Sequence, residues 1–122
     1  MQQAIEKFME LAGAMGACVV DVDSGMMLAS TVATGAVDRL DLELAAASSS
    51  QVLRAQRHAL AAASEDDPVE DILVSLKDQY HLLRILEGSD GYYLYAVIDR
   101  RSGNLAMARH TLARLQPTVS AI

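Results

Sequence analysis

The sequence predicts an α+β fold in which one antiparallel sheet carries helices on both faces, and three observations predict it. The stretch that begins at Asp71, DILVSLKDQYHLLRILEGSDGYYLYAVIDRRSGNLAMARHTLAR, holds three strand-like runs joined by very short turns and followed at once by a small-residue helix. Strands joined so tightly pair antiparallel, because parallel neighbours need a crossover of about a dozen residues. The helix that follows has to bury its apolar stripe, and the nearest apolar surface is the sheet just made. Second, Ala17 to Val22 is nearly all apolar and β-branched, with no clean polar alternation before Asp21. Such a strand is covered on both faces. Third, residues 37–64 form a long Ala-rich segment without Gly or Pro, which reads as one central helix.

The elements follow in order. Ile5, Phe8, Met9 and Ala12 keep the spacing of a helix with one buried face, stopped by Gly13 and Gly16. Ala17 to Val22 and Met26 to Val32 form a hairpin around Asp23, Ser24 and Gly25. The central helix ends at the acidic breaker Glu65-Asp66-Asp67-Pro68. Val69 to Lys77, Tyr80 to Leu86 and Tyr92 to Ile98 are the third, fourth and fifth strands, with Asp78-Gln79 and the stretch Glu87 to Gly91 as turns. The last helix runs from about Gly103 to Leu115, capped by Ser102 or Asn104 and closed by Pro117. The sequence thus predicts a five-stranded antiparallel sheet in the order αββαβββα.

Phasing the central helix at about 100° per residue separates it into distinct faces. Leu42, Ala46, Ser49, Leu53 and Leu60 lie along one stripe, and Val37, Leu44, Ser48, Val52, Ala55, Ala59 and Ala62 along an adjacent one. Arg39, Glu43, Ser50, Arg54 and Arg57 fill the remaining arc. The two apolar stripes cover roughly half the circumference, more than a helix resting on one sheet requires. The surplus stripe implies a second helix as its partner, and an identical copy is the simplest source.

At 122 residues the chain fits one domain, spanning 1–122, with enough length to bury a core unaided by disulfides or metals. Its 52% hydrophobic and 21% charged composition is globular. A net charge of -6 argues against attraction to phosphate backbones or anionic lipids, hence against nucleic acid as a partner. The first ten residues carry Glu6, Lys7 and Glu10, unlike a secretory signal. No apolar run approaches the roughly 20 residues of a spanning helix. No membrane insertion and a cytoplasmic setting are expected.

Catalytic chemistry finds little support. His58, His81 and His110 fall in separate elements with no second ligand at metal spacing. The acidic run Glu65, Asp66, Asp67, Glu70 and Asp71 lacks the alternating ligands and central Gly of a calcium loop; it suits an electrostatic rim facing a basic partner. Ser48-Ser49-Ser50 and the lone Cys18 have no activating base in the sequence nearby, and no glycine loop cradles phosphate. Tyr80, Tyr92, Tyr93 and Tyr95 have only Arg84 among them, so they read as packing residues. The expectation is no catalytic residue, no metal and no cofactor. Arg39, Arg54 and Arg57, with Arg100 and Arg101, are the candidates for partner contact, an arginine finger being the sharper alternative to a solvated face.

The hairpin ACVVDVDSGMMLAS and the segment YYLYAVIDRRSGNLAMARHTL resemble the first two strands, and the last strand with its helix, of the Roadblock family of dynein-associated light chains and bacterial GTPase regulators. In that family a valine-rich strand ends in an acidic residue and a Gly turn before a strand closing on Ala-Ser, and the final helix starts at Asn-Leu. The resemblance runs from about Ile5 to Leu115. The acidic residues 65–71 and the run Gln79 to Leu86 are unlike the eukaryotic light chains, which points to a bacterial member. It implies a Roadblock/profilin-like α/β sandwich and a homodimer, with second helices packed together and third strands paired edge to edge. The interface would then include Leu44, Ser48, Val52, Ala55, Ala59 and Ala62 on the helix, and Val69, Asp71, Leu73 and Ser75 on the strand. It also implies a Ras-like small GTPase as partner, bound for regulation or scaffolding, and no cofactor. The alternatives are an assembly adaptor, or a small-molecule sensor whose cavity between central helix and sheet would be lined by Met26, Met27 and Met107.

Overall fold

A computed structural model describes residues 1–36, 40–63, 66–86 and 91–120. Val37, Arg39, Glu65 and most of the turn expected at 87 to 91 lie outside the described residues. The elements are α1 (Gln2–Phe8), β1 (Ala14–Asp21), β2 (Met27–Val32), a 3-10 turn (Thr34–Ala36), α2 (Leu42–Ala62), β3 (Asp71–Ser75), β4 (Gln79–Ile85), β5 (Tyr92–Asp99) and α3 (Leu105–Ser120). The strands form the one antiparallel sheet that the sequence predicts, and their order, β2-β1-β5-β4-β3, joins the hairpin to the meander through β1 and β5.

The alternation of side chains along each strand divides the core in two. On one face Val19, Leu82, Leu94, Ala96 and Ile98 pack against Ile5 and Phe8 of α1 and Ala108, Leu112 and Leu115 of α3. On the other, Cys18, Val20, Leu83, Tyr93, Tyr95 and Val97 meet Leu42, Ala46 and Leu53 of α2. β1 and β5 are therefore buried on both sides, which is why Ala17 to Val22 shows no polar alternation.

Several element ends differ from the sequence expectation. α1 stops at Phe8, and Ala12, expected on its buried face, is exposed. The chain has to turn there into β1: Gly13 takes φ +83, and a Cβ on it would stand 2.6 Å from the backbone of Gly103. Only a glycine permits that approach. Gly16, expected to be a helix stop, is instead inside β1, paired with Val32 and Val97. Its missing side chain leaves room for Leu40, whose side chain would lie 2.9 Å from an added Cβ. β3 is shorter than Val69 to Lys77 because Leu76 already begins the turn, its N–H donating to the Gln79 carbonyl at 2.8 Å. Pro117 does not close α3 but sits within it. Proline removes one backbone donor, yet Leu115 and Gln116 beside it are buried, and Gln116 Oε1 accepts from Arg84 Nε at 3.1 Å.

Local chemistry sets the remaining joints. Asp41 caps α2 by accepting the Leu44 N–H at 3.1 Å, and Asn104 caps α3 by accepting the Met107 N–H at 2.9 Å. In the β1–β2 turn, Asp21 Oδ1 accepts the Asp23 N–H at 2.9 Å, and Gly25 takes φ +74. Arg100 holds the β3–β4 turn, with Nη1 donating to the Leu76 carbonyl at 3.1 Å and the guanidinium 5.0 Å from the centre of the Tyr80 ring.

Candidate interaction surface

The two layers of helix cover the sheet unequally. α1 lies along β1 and β2 and α3 along β4 and β5, so two helices share the cover of that face; α2 lies alone on the other, chiefly over β1 and β2. On the α2 side, the β3–β4 half of the sheet is left with an open groove of about 260 Å³, lined by Ser48, Val52, Val74, Leu76, Leu83 and Tyr95 among others.

α2 is fastened to the sheet by a buried polar knot. Tyr93 Oη lies 2.7 Å from Ser49 Oγ, 2.8 Å from Ser50 Oγ and 3.0 Å from the Ala46 carbonyl. The tyrosine donates to that carbonyl and accepts from the serines, so the hydroxyls are satisfied without water. Burial pushes the Tyr93 pKa up, against the opposing pull of the two serine hydroxyls. Ser50, expected on the polar arc of the helix, is fully buried for this reason. Leu42, Ala46, Ser49 and Leu53 are buried as the first stripe predicts, while Leu60 is half-buried.

The second stripe faces outward: Leu44 is 64% exposed and Val52 48%, and Ser48, Ala55, Ala59 and Ala62 are exposed beside them. Alongside runs β3, the edge strand on this side of the sheet. Of its expected interface residues, Val69 is half-buried against the α2-side core and Ser75 is exposed. Leu73 is 40% exposed and pairs with Leu82, whose side chain belongs to the α1–α3 face. Asp71 is engaged within the chain, 2.9 Å from Arg109 Nη2 and 3.6 Å from Arg84 Nη1, and Arg84 also reaches Glu70 at 2.9 Å.

Residues that the sequence reading did not assign to the interface set line the groove between the stripe and the strand, notably Val74, Leu76, His81 and Tyr95. The signal for the first two was present in part, since Val74 and Leu76 alternate with polar Ser75 and Lys77. His81 and Tyr95 gave none, because they meet across neighbouring strands. His81 Nδ1 lies 2.5 Å from Tyr95 Oη and its Nε2 2.8 Å from Gln79 Oε1. The amide oxygen only accepts, so Nε2 carries the proton and Nδ1 accepts from the tyrosine. Burial lowers the His81 pKa and raises that of Tyr95.

The arginine candidates do not act alike. Arg39 lies outside the described residues. Arg54 is half-buried, its Nη1 donating to the carbonyls of Val22 and, at 3.4 Å, Asp23, so it ties α2 to the β1–β2 turn. Arg57 is exposed on α2. The methionines expected to line a ligand cavity do not come together there: Met26 is 69% and Met107 52% exposed, and only Met27 packs at the α2-side core. Cys18 is buried and its pKa is pushed up to about 12 by that burial, which leaves it a protonated packing residue. Among the described residues, no group of three or more His, Cys, Asp or Glu side chains is placed to hold a metal, and no helix is long and apolar enough to cross a membrane.

No protein-family model and no curated protein matches the chain. Solved structures do. A Roadblock/LC7 domain from Streptomyces avermitilis superposes with a TM-score of 0.79 at 16% identity, covering 98% of this chain and 93% of its own. The gliding protein MglB from Thermus thermophilus gives 0.82 at 17% identity, covering 98% and 84%. A structure of MglB with a tetrameric arrangement gives 0.83 at 18% identity, again covering 98% and 84%. Across nearly its whole length, and at low sequence identity, the chain has the Roadblock/LC7 fold.

Proposed function

We propose that this chain is a non-enzymatic regulator or scaffold of a Ras-like small GTPase, acting in the cytoplasm as a homodimer and without a cofactor. The observation that carries the reading is the unfinished α2 side, where the exposed Leu44–Val52 stripe, an apolar groove and the β3 edge lie side by side. An isolated domain rarely leaves an apolar stripe and an unprotected strand edge adjacent. A second copy related by a two-fold axis meets both needs. Small side chains at Ser48, Ala55 and Ala59 allow close helix approach, and antiparallel pairing of β3 with its mate continues the sheet. The tetrameric arrangement named for one structural neighbour supports self-association. The GTPase partner rests on the resemblance of the ACVVDVDSGMMLAS hairpin and the YYLYAVIDRRSGNLAMARHTL segment to Roadblock proteins. With Arg54 engaged inside the chain, Arg57 is the described α2 arginine open to such a partner.

Sedimentation equilibrium and a GTPase binding titration test this together. The wild-type chain is expected at twice its 13.1 kDa mass at micromolar concentration. Ala55→Glu, which sets an unpaired charge in the helix contact, should give a folded monomer. A Ras-like GTPase loaded with GDP or a non-hydrolysable GTP analogue should bind the wild type and not the variant. A wild-type monomer would sink the dimer; a dimer that binds no such GTPase in either state would leave an assembly adaptor or a sensor.

A further inference from the structure

The groove has a floor that a proton can change. Gln79, His81 and Tyr95 form a neutral relay in which every polar atom of the imidazole is used: Nε2–H donates to Gln79 Oε1 at 2.8 Å and Nδ1 accepts from Tyr95 Oη at 2.5 Å. His81 and Tyr95 line the groove between Ser48 and Val52 of α2 and Val74 of β3. These neighbours are the two surfaces assigned above to a second copy, so pairing would roof the relay.

From this placement we infer that the Gln79–His81–Tyr95 relay makes self-association of the chain sensitive to acid, the dimer forming with His81 neutral and loosening when His81 takes a proton. The inference rests on the homodimer proposed above. Protonation puts a donor on Nδ1 opposite the tyrosine hydroxyl, which must then turn its own proton elsewhere. It also leaves a charge under an apolar roof, where desolvation disfavours it. The surroundings offer little compensation. α2 contributes Ala45, Ser48, Ser49 and Val52, β3 Val74, and β5 Tyr95, which burial keeps protonated. Strand register sets Val97 across from His81 and Asp99 across from Gln79, and Asp99 Oδ2 already accepts from the Ser102 backbone at 3.0 Å and hydroxyl at 2.7 Å. Lys77, Asp78, Arg100 and Arg101 line a separate depression at the β3–β4 turn. Burial already holds the His81 pKa below its ordinary value within the single chain, and covering the groove would hold it lower.

The test is the dimer dissociation constant measured by sedimentation equilibrium as the pH is lowered from about 7.5 to about 5, a window carried well below the ordinary histidine value because burial holds His81 lower. The wild type should lose affinity by about tenfold or more, since each unit of pKa difference between monomer and dimer is a tenfold change per relay. His81→Gln, which cannot titrate but keeps an amide for both neighbours, should form a dimer of nearly constant affinity. His58→Gln, at an exposed position of α2, controls for removing an imidazole outside the relay and should retain the wild-type slope. A dimer with no slope, or a slope that survives in His81→Gln, overturns the inference while leaving the homodimer standing. A wild-type monomer at every pH overturns both. Should His81→Gln fail to fold, the His81 ring resonances decide: its pKa must be lower in the wild-type dimer than in the Ala55→Glu monomer, and equal values overturn the inference.

Discussion

The two faces of the sheet are built from similar apolar strands but finished differently. On the α1–α3 face, Phe8, Ile5, Ala108 and Leu112 meet Val19, Leu94 and Ile98 in one buried cluster roofed by two helices. On the α2 face one long helix covers β1 and β2, and the ground beneath Val52, Val74 and Tyr95 stays open. The difference lies in the placement of helices rather than in strand composition, because β1 and β5 are buried on both sides. The closed face buries most of its apolar surface within the chain, whereas the open one leaves Leu44, Val52 and the groove exposed, the surface proposed above for a second copy.

The largest effect should come from breaking the closed face. Phe8 is fully buried, and Phe8→Ala should cost about 3–5 kcal/mol through lost transfer energy and a residual cavity. Leu53, the buried anchor of α2, should cost about 2–5 kcal/mol as Leu53→Ala. Urea unfolding with circular dichroism measures both, and an unchanged midpoint for either would mean that the face it anchors is packed otherwise.

Next comes the knot that holds α2 in its offset position. Tyr93→Phe removes the hydroxyl shared by Ser49, Ser50 and the Ala46 carbonyl. The serines can still turn to that carbonyl, at 2.9 Å and 3.2 Å, so the loss should be about 1–3 kcal/mol. Faster amide exchange confined to α2 is the expected signature; uniform protection would show that the knot is not what fixes the helix.

A pH titration of stability sharpens the contrast, because His81 lies on the open face. The His81 pKa is lowered from an ordinary value of 6.5 by burial. The unfolded chain therefore takes up a proton before the folded one. Its contribution is intact above that ordinary value, and stability declines as pH falls through it until the folded chain also protonates. His81→Gln should flatten that decline; an equal decline in the variant would assign it to other groups.

The smallest effect should come from the open stripe. Leu44→Ser in a sample dilute enough to be monomeric should change stability by no more than about 0.5 kcal/mol, since its side chain is already 64% exposed. The same substitution at concentrations that favour self-association should weaken the dimer. If it instead unfolds the monomer, Leu44 is a core residue and the phasing of α2 is wrong.

Much of this was legible from local pattern. The tight turns, the unbroken apolar run Ala17 to Val22 and the Gly-free segment 37–64 carried the element order, and helical phasing separated Leu42, Ala46 and Leu53 from Leu44, Val52 and Ala55. Periodicity reports which residues share a face of one element. It says nothing of how far an element is shifted across its neighbours. That shift decided the rest: Ser50 was drawn inward by a tyrosine on β5, Arg54 was taken up by the carbonyls of the β1–β2 turn, and His81 met Tyr95 under a gap that α2 leaves uncovered. Each depends on residues at least 14 positions apart, and only the packed tertiary structure sets such contacts.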